Sequence, residues 1–203
     1  GYVGQSGLQY KPWGTAADIE TGYASGDSNP YDGNVRNFSF DPNYNPSLLL
    51  FEYVRSAETI AAAANASDPE RVAAPPQAVR FLPSQGSVSN TVYVRPTARY
   101  TLGEFGARLA VMWAWSEEDL IDPYNTTMEN EATNFQGGAA SNRFLGTEVN
   151  VGIDYSFTWE QWVAATFTIQ AGRLQPGDAF KNHSGAIAKG VNMVFGSIQL
   201  QWM

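Results

Sequence analysis

The most regular feature of the sequence is an alternation of apolar and polar residues with a period of two. Between residues 91 and 102 the even positions read Val, Val, Pro, Ala, Tyr and Leu, whereas the odd positions read Thr, Tyr, Arg, Thr, Arg and Thr. Successive side chains of a β-strand point to opposite faces, so this segment predicts a strand with one apolar and one polar face. The same alternation runs from Phe105 to Trp115, and the intervening Gly103-Glu104 predicts a tight hairpin.

Similar segments recur along the whole chain and predict seven long strands. One covers residues 143–157, where Leu145, Val149 and Val151 are expected to share the apolar face. The last strand ends at Trp202, and its first half, residues 191–195, keeps the alternation poorly, which suggests a β-bulge. The chain is therefore expected to be all-β and antiparallel.

The connections between these strands alternate in length. Short turns are expected near residues 12–14, 103–104 and 158–160, and long loops across 27–86, 117–141 and 174–188. Outer-membrane β-barrels have short periplasmic turns and long external loops, whereas a soluble sandwich has no reason to alternate in this way. The pattern favours one transmembrane β-barrel domain over residues 1–203, with an inserted loop at 27–86, located in the bacterial outer membrane.

Aromatic residues follow the same division between strand ends. Amphipathic rings concentrate at the two interfaces of a bilayer, so two belts are expected in a membrane-spanning sheet. The interface residues predicted on this basis are Trp13, Tyr100, Trp159 and Trp202 at the short-turn end and Trp113 and Trp115 toward the long loops. The alternative is a soluble, sugar-binding β-sandwich whose core these rings would fill.

Seven is an odd number, whereas single-chain bacterial barrels have an even number of strands. We therefore expect the chain to be the C-terminal portion of a larger barrel. The alternative is an eighth strand within the first long loop.

Composition and charge exclude several classes of function. The formal net charge is −8, and the 12 Lys and Arg residues are scattered, which argues against a nucleic-acid partner. Cysteine is absent, and the sequence has no nucleophile motif that the single histidine, His183, could activate as a base. The chain is therefore not expected to be an enzyme. The expected partners are the lipid bilayer and small or polymeric solutes, with envelope proteins as further candidates.

Charged residues share the polar parity of the predicted strands. Arg95, Arg99 and Arg108 lie on two adjacent strands, and the strands on either side carry Asp18, Glu20, Glu148 and Asp154. In a water-filled lumen these residues would form a basic strip between acidic ones, which could select charged solutes. The alternative is a lattice of salt bridges that stiffens the wall.

The first long loop contains two candidate features. The Ala-rich residues 56–64 predict a helix of about three turns that ends near Asn65, and a loop of this length is usually functional. We expect it to fold inward and narrow the pore; the alternative is an outer lid or a partner-binding surface. Asp27, Asn29 and Asp32 offer oxygen ligands of the kind that bind Ca²⁺, although an Asx-rich turn explains the same residues. No other cofactor is expected.

Two segments resemble a known family. ETGYASGDSNPYDG (residues 20–33) and NFSFDPNYNPSLLLFE (residues 37–52) are similar to a strand and loop of alginate-export-type, porin-like outer-membrane barrels of proteobacteria. The resemblance implies a barrel with a loop folded into its lumen, through which an anionic polysaccharide or small solutes pass.

The sequence therefore favours a porin-like channel or exporter for small or anionic solutes. Its selectivity would come from lumen charges and an inward-folded loop. The alternative is a structural or adhesive barrel component of an envelope complex, with a plugged lumen.

Overall fold

Seven consecutive strands form one antiparallel sheet in a computed structural model, which describes residues 1–10, 13–29, 34–44, 46–159 and 162–202. Each strand pairs with its neighbours in the sequence. Their bounds are β1 Tyr2–Tyr10, β2 Thr15–Ala24, β3 Thr91–Leu102, β4 Phe105–Trp115, β5 Phe144–Trp159, β6 Val163–Pro176 and β7 Val191–Trp202. The expected all-β class and the seven strands are confirmed, and β1 and β7 form the two edges of the sheet.

The two faces of the sheet differ in polarity, as the alternation predicts. We call the face that carries Asp18 and Glu20 the inner face, and the face that carries Leu109 and Val151 the outer face. Leu109 is 46% exposed and Val151 is 47% exposed, and Phe167 on β6 is similarly open. Among the described residues no second sheet covers this apolar surface.

A bulge in β5 corrects one expectation about the apolar face. Ala114 pairs with Gly146 and Trp115 pairs with Phe144, so Leu145 is an extra residue between two ladder positions. Gly146 has a φ of +129°, which a glycine adopts without strain. Leu145 therefore turns inward and is buried, instead of sharing the outer face with Val149 and Val151.

The bulge expected at residues 191–195 is absent. Residues 191–202 pair with β6 in an uninterrupted register. The alternation fails there because Val191, Met193 and Phe195 lie on the inner face, and Val191 and Met193 pack against a buried apolar cluster. In the part of the sheet near the long loops, apolar side chains on the inner face therefore pack against this cluster.

The buried cluster lies between the inner face and the long loops. It joins inner-face residues such as Met112, Ala114 and Leu174 to Leu49, Leu50 and Phe51 of the loop between β2 and β3. The core of the molecule is therefore a contact between a loop and one half of a sheet.

The loop between β2 and β3 contains the predicted helix. A short π-helical segment, Leu50–Arg55, continues into α1, Ser56–Ser67, which ends two residues beyond the expected Asn65. A 3-10 turn follows at Gln77–Phe81; α2, Pro123–Glu129, lies in the next long loop, and a second 3-10 turn spans Asp178–Phe180. In the described part of this first loop there is no eighth strand, only an isolated bridge between Ser39 and Ser89. None of the described helices is both long and apolar enough to cross a membrane.

Candidate functional site: a loop segment across the inner face

A loop segment crosses the inner face of the sheet at one height. In this row Glu20 on β2 pairs with Arg95 on β3, and Met112 on β4 pairs with Glu148 on β5. We call the described residues 44 and 46–51, which lie on this row, the crossing segment. It contacts β2 at one end and β5 at the other.

Glu148 binds the crossing segment on β5. Its side chain is 0% exposed, and its Oε1 accepts the amides of Leu48 at 2.6 Å and Leu49 at 3.1 Å. Its Oε2 accepts the amide of Leu50 at 2.8 Å, and the Asn150 Nδ2 donates to Oε1 at 2.8 Å. The first amides of a helical segment have no intrahelical acceptor, so a carboxylate placed here satisfies them and is stabilised by the helix dipole.

Tyr44, at the other end of the crossing segment, attaches the segment to β2. Its hydroxyl donates to Glu20 Oε1 at 2.8 Å. The Tyr93 hydroxyl of β3 lies 2.9 Å from the same oxygen and 2.7 Å from the Tyr44 hydroxyl, and it donates its single proton to one of these two oxygens. The Arg95 Nη1 lies 3.9 Å from Glu20 Oε2. Burial, and to a smaller extent Glu20, raise the pKa of Tyr44 to about 12 against an opposing contribution from the hydrogen bond with Tyr93. Two carboxylates, three strands apart in the sheet, therefore hold the two ends of one segment.

A glycine on β6 makes room for the crossing segment. A Cβ atom at Gly172 would lie 3.0 Å from the Leu48 Cδ2, 3.3 Å from the Leu49 Cδ1 and 2.8 Å from the Asn150 Oδ1. These distances are shorter than ordinary packing contacts, so a side chain here would displace the loop.

Below the crossing segment, toward the short turns, the inner face is mainly polar, although Phe195 of β7 lies beside Gln170 and is 48% exposed. Its rows carry charged, amide and hydroxyl side chains on β3 to β7: Arg99, Arg108 and Gln170; Thr101, Asp154, Thr168 and Ser197; Ser156, Thr166 and Gln199. The segment thus separates a dry upper half of the inner face from a polar lower half.

The structure divides the predicted lumen charges into three groups. Arg99 forms an ion pair with Asp18, and Arg95 lies near Glu20, so these four form the cross-strand pairs of the salt-bridge alternative. Glu148 lies on the expected face but is covered by the crossing segment, so it is not an exposed selectivity charge. Arg108 and Asp154 remain accessible and have no ion pair with a described residue.

The proposed calcium ligands do not form a recognisable site in the described chain. Asp27 accepts the amide of Asn29 at 3.1 Å and that of Arg36 at 3.3 Å, the pattern of an Asx turn. Asp32 lies outside the described residues. No group of three acidic, His or Cys residues elsewhere in the described chain could hold a metal ion.

The predicted interface aromatics lie at the two ends of the sheet. Trp13 is 71% and Trp202 78% exposed near the short-turn end, and Tyr100 is partly exposed there. Trp115, which packs against Phe144 at 5.5 Å, and the half-buried Trp113 lie toward the long loops. Trp159 ends β5, and its side chain lies outside the described part. A further pair at the long-loop end, Tyr2 and Tyr23, is stacked at 5.6 Å.

Sequence reasoning missed the two tyrosines and the glycine that seat the crossing segment. Tyr93 was visible as an aromatic residue on a face otherwise occupied by Arg and Thr, and this is a signal for a local partner. Tyr44 and Gly172 carry no comparable signal.

Comparison with known proteins returned no match, either among protein-family models or among curated proteins.

Proposed function

We propose that the chain forms part of the wall of a porin-like channel in the bacterial outer membrane, with its outer face in lipid and its inner face toward a watery lumen. The observation that carries this proposal is the division of one sheet into an open apolar face and a polar face crossed by a loop. A soluble protein rarely leaves a contiguous apolar surface of this extent uncovered.

The height of the apolar face suits a bilayer. Ten residues separate Phe105 from Trp115 along β4, which is about 33 Å at a rise of roughly 3.3 Å per residue. With a strand tilt of about 40°, this projects to roughly 25 Å, the height of the apolar band in outer-membrane barrels.

In this proposal the sheet closes into a barrel. Strand edges cannot remain unpaired in hydrocarbon, because their amide and carbonyl groups would have no partner. β1 and β7 run in the same direction, so antiparallel closure requires an odd number of additional strands. The resemblance to alginate-export-type barrels agrees with such an arrangement.

The crossing segment would narrow the lumen in its upper half. Solutes would pass beside it and then along the polar lower rows, where Arg108 and Asp154 are the accessible charges. Small charged solutes are the substrate class that this wall favours.

Single-channel conductance in planar bilayers tests the proposal. The wild-type protein is expected to show steady openings, and a variant lacking residues 47–76 is expected to show a larger conductance because the segment no longer occupies the lumen. Exchange of Gln199 for Ala, on the inner face of β7 and away from the segment, serves as the control. Equal conductance of the deletion variant and the wild type would exclude the constriction, and absence of openings in both would exclude the channel.

A plugged structural or adhesive component is the second candidate. The observation that favours it is the dry packing of Leu49, Leu50 and Phe51 against the sheet, each at most 2% exposed. A plugged barrel predicts that the wild type stays closed while the deletion variant conducts.

A further inference from the structure

A depression lies on the lower inner face of the sheet, where two glycines replace side chains. Arg108 of β4 faces Gly152 of β5, and Gly152 faces Gln170 of β6. One row lower, Gly106, Asp154 and Thr168 occupy the corresponding positions. We call this place the Arg108–Asp154 pocket; its volume of about 250 Å³ corresponds to roughly eight water molecules.

The two charged groups of the pocket have opposite signs but do not pair with each other. Arg108 Nη2 donates to Gln170 Oε1 at 3.2 Å and has no carboxylate within salt-bridge distance among the described residues. Asp154 forms no hydrogen bond or ion pair with the described chain. Because the two residues are diagonal neighbours across β4 and β5, roughly 7–8 Å separates their backbone positions. A small molecule between them could contact both.

We propose that this pocket binds a small zwitterion of amino-acid size. Its carboxylate accepts hydrogen bonds from the Arg108 guanidinium, and its ammonium group donates to Asp154. Gln170 and Thr168 offer further polar contacts at the rim. The inference rests on the proposed channel, since it names a class of solute that its lumen would hold.

Charge complementarity distinguishes a zwitterion from other solutes. A simple anion would be attracted by Arg108 and repelled by Asp154, whereas a simple cation would be attracted by Asp154 and repelled by Arg108. Only a molecule with both charges gains from both groups, and charge-assisted hydrogen bonds are the strong ones. Arg99 also lines the pocket, and its guanidinium forms an ion pair with Asp18.

Binding can be measured on the full chain in detergent micelles by saturation-transfer NMR. The probes are glycine and three molecules of similar size, namely acetate, methylammonium and the neutral glycolamide. Glycine is expected to bind about tenfold more tightly than any of the other three, because each of them loses at least one charge-assisted contact.

Variants locate the site. R108Q and D154N are each expected to reduce glycine binding to the level of the singly charged probes. G152A fits without a clash, since its Cβ would lie 3.6 Å from the Gln170 Cγ and 3.8 Å from the Arg108 Nη2, and it should weaken glycine binding by filling the floor. The Q199A control should bind like the wild type.

The outcomes separate this inference from the proposed channel. Glycine binding no tighter than acetate and methylammonium, or undiminished in both R108Q and D154N, would overturn the zwitterion site. Preferential binding of acetate would make the pocket an anion site and overturn it as well. Because binding in micelles does not require conduction, a protein that binds glycine but never opens in a bilayer would refute the channel alone.

Discussion

At the scale of single residues, Glu148 determines where the crossing segment lies. Its carboxylate is fully buried and accepts three amides of the segment and one side-chain amide. A buried charge is tolerated only when such partners compensate for its lost hydration. The same carboxylate therefore satisfies the start of the helical segment and fixes it to β5.

Replacement of Glu148 by Ala should lower the free energy of unfolding by about 3 kcal/mol, because buried amides that lose their acceptor cost about 1–3 kcal/mol each and water can reach some of them. Glu148→Gln should lose roughly half as much, since its amide oxygen still accepts. Urea unfolding and hydrogen exchange at the Leu48, Leu49 and Leu50 amides would measure both effects. The matched control is Asp154→Ala on the same strand, which removes an acid without a partner in the described chain; equal losses at the two positions would contradict the role of Glu148.

Tyr44 predicts a dependence of stability on alkaline pH. Burial raises its pKa to about 12 in the folded protein, whereas an unfolded tyrosine titrates near pH 10. The folded state therefore keeps a proton that the unfolded state loses, so the stabilisation is complete below about pH 10 and disappears as pH rises through about 12.

The free energy of unfolding of the wild type should consequently fall between pH 10 and 12, and Tyr44→Phe should make this fall shallower. Unfolding curves at pH 9, 10, 11 and 12 provide the measurement. Tyr53→Phe, an exposed tyrosine of the same loop, is the control and should leave the slope as in the wild type. An identical slope in Tyr44→Phe would show that another group titrates.

At the scale of elements, the strands were predictable because each maintains the period of two over many residues. The hairpin at Gly103 was also predictable, because a glycine with a φ of +56° is the residue that such a turn favours. The helix α1 followed from its alanines. These features depend on neighbouring residues only, so the sequence of each segment contains the necessary information.

The bulge at Leu145 and the parity of β7 were not predictable, because both depend on the loop that covers the inner face. An apolar residue was assigned to the outer face on the assumption that the inner face is polar along its whole length. Leu145, Val191 and Met193 violate that assumption where the crossing segment provides an apolar partner, and Phe195 violates it one row below Met193, outside the buried cluster. Of the candidate site, the charged residues were found, but the hydrogen bonds between Glu148 and residues about 100 positions earlier were not.

At the scale of the whole molecule, the sheet has two different surroundings to satisfy. The inner face is covered by its own loop in the upper half and carries mainly polar side chains in the lower half, so the residues of its upper half have packing partners within the chain. The outer face has none within the described chain, although it carries Leu109, Val151, Ile153 and Ile169 in adjacent positions. The loss of unfolding free energy caused by a charged substitution on each face therefore shows whether that face lies in water or in hydrocarbon.

Val151 is the position where this difference should be largest, because it lies near the middle of the apolar face and is 47% exposed in the isolated chain. In water, Val151→Arg should change the free energy of unfolding by no more than about 0.5 kcal/mol, as is usual for an exposed site. In lipid it should cost about 2–4 kcal/mol, the range for Arg near the bilayer midplane on the outside of a barrel. Unfolding by urea from phospholipid vesicles would measure the loss, with Gln199→Arg on the inner face as the matched control, expected to remain close to the wild type. If both arginines cost the same, the outer face does not lie in hydrocarbon, and the proposed membrane orientation of the sheet is wrong.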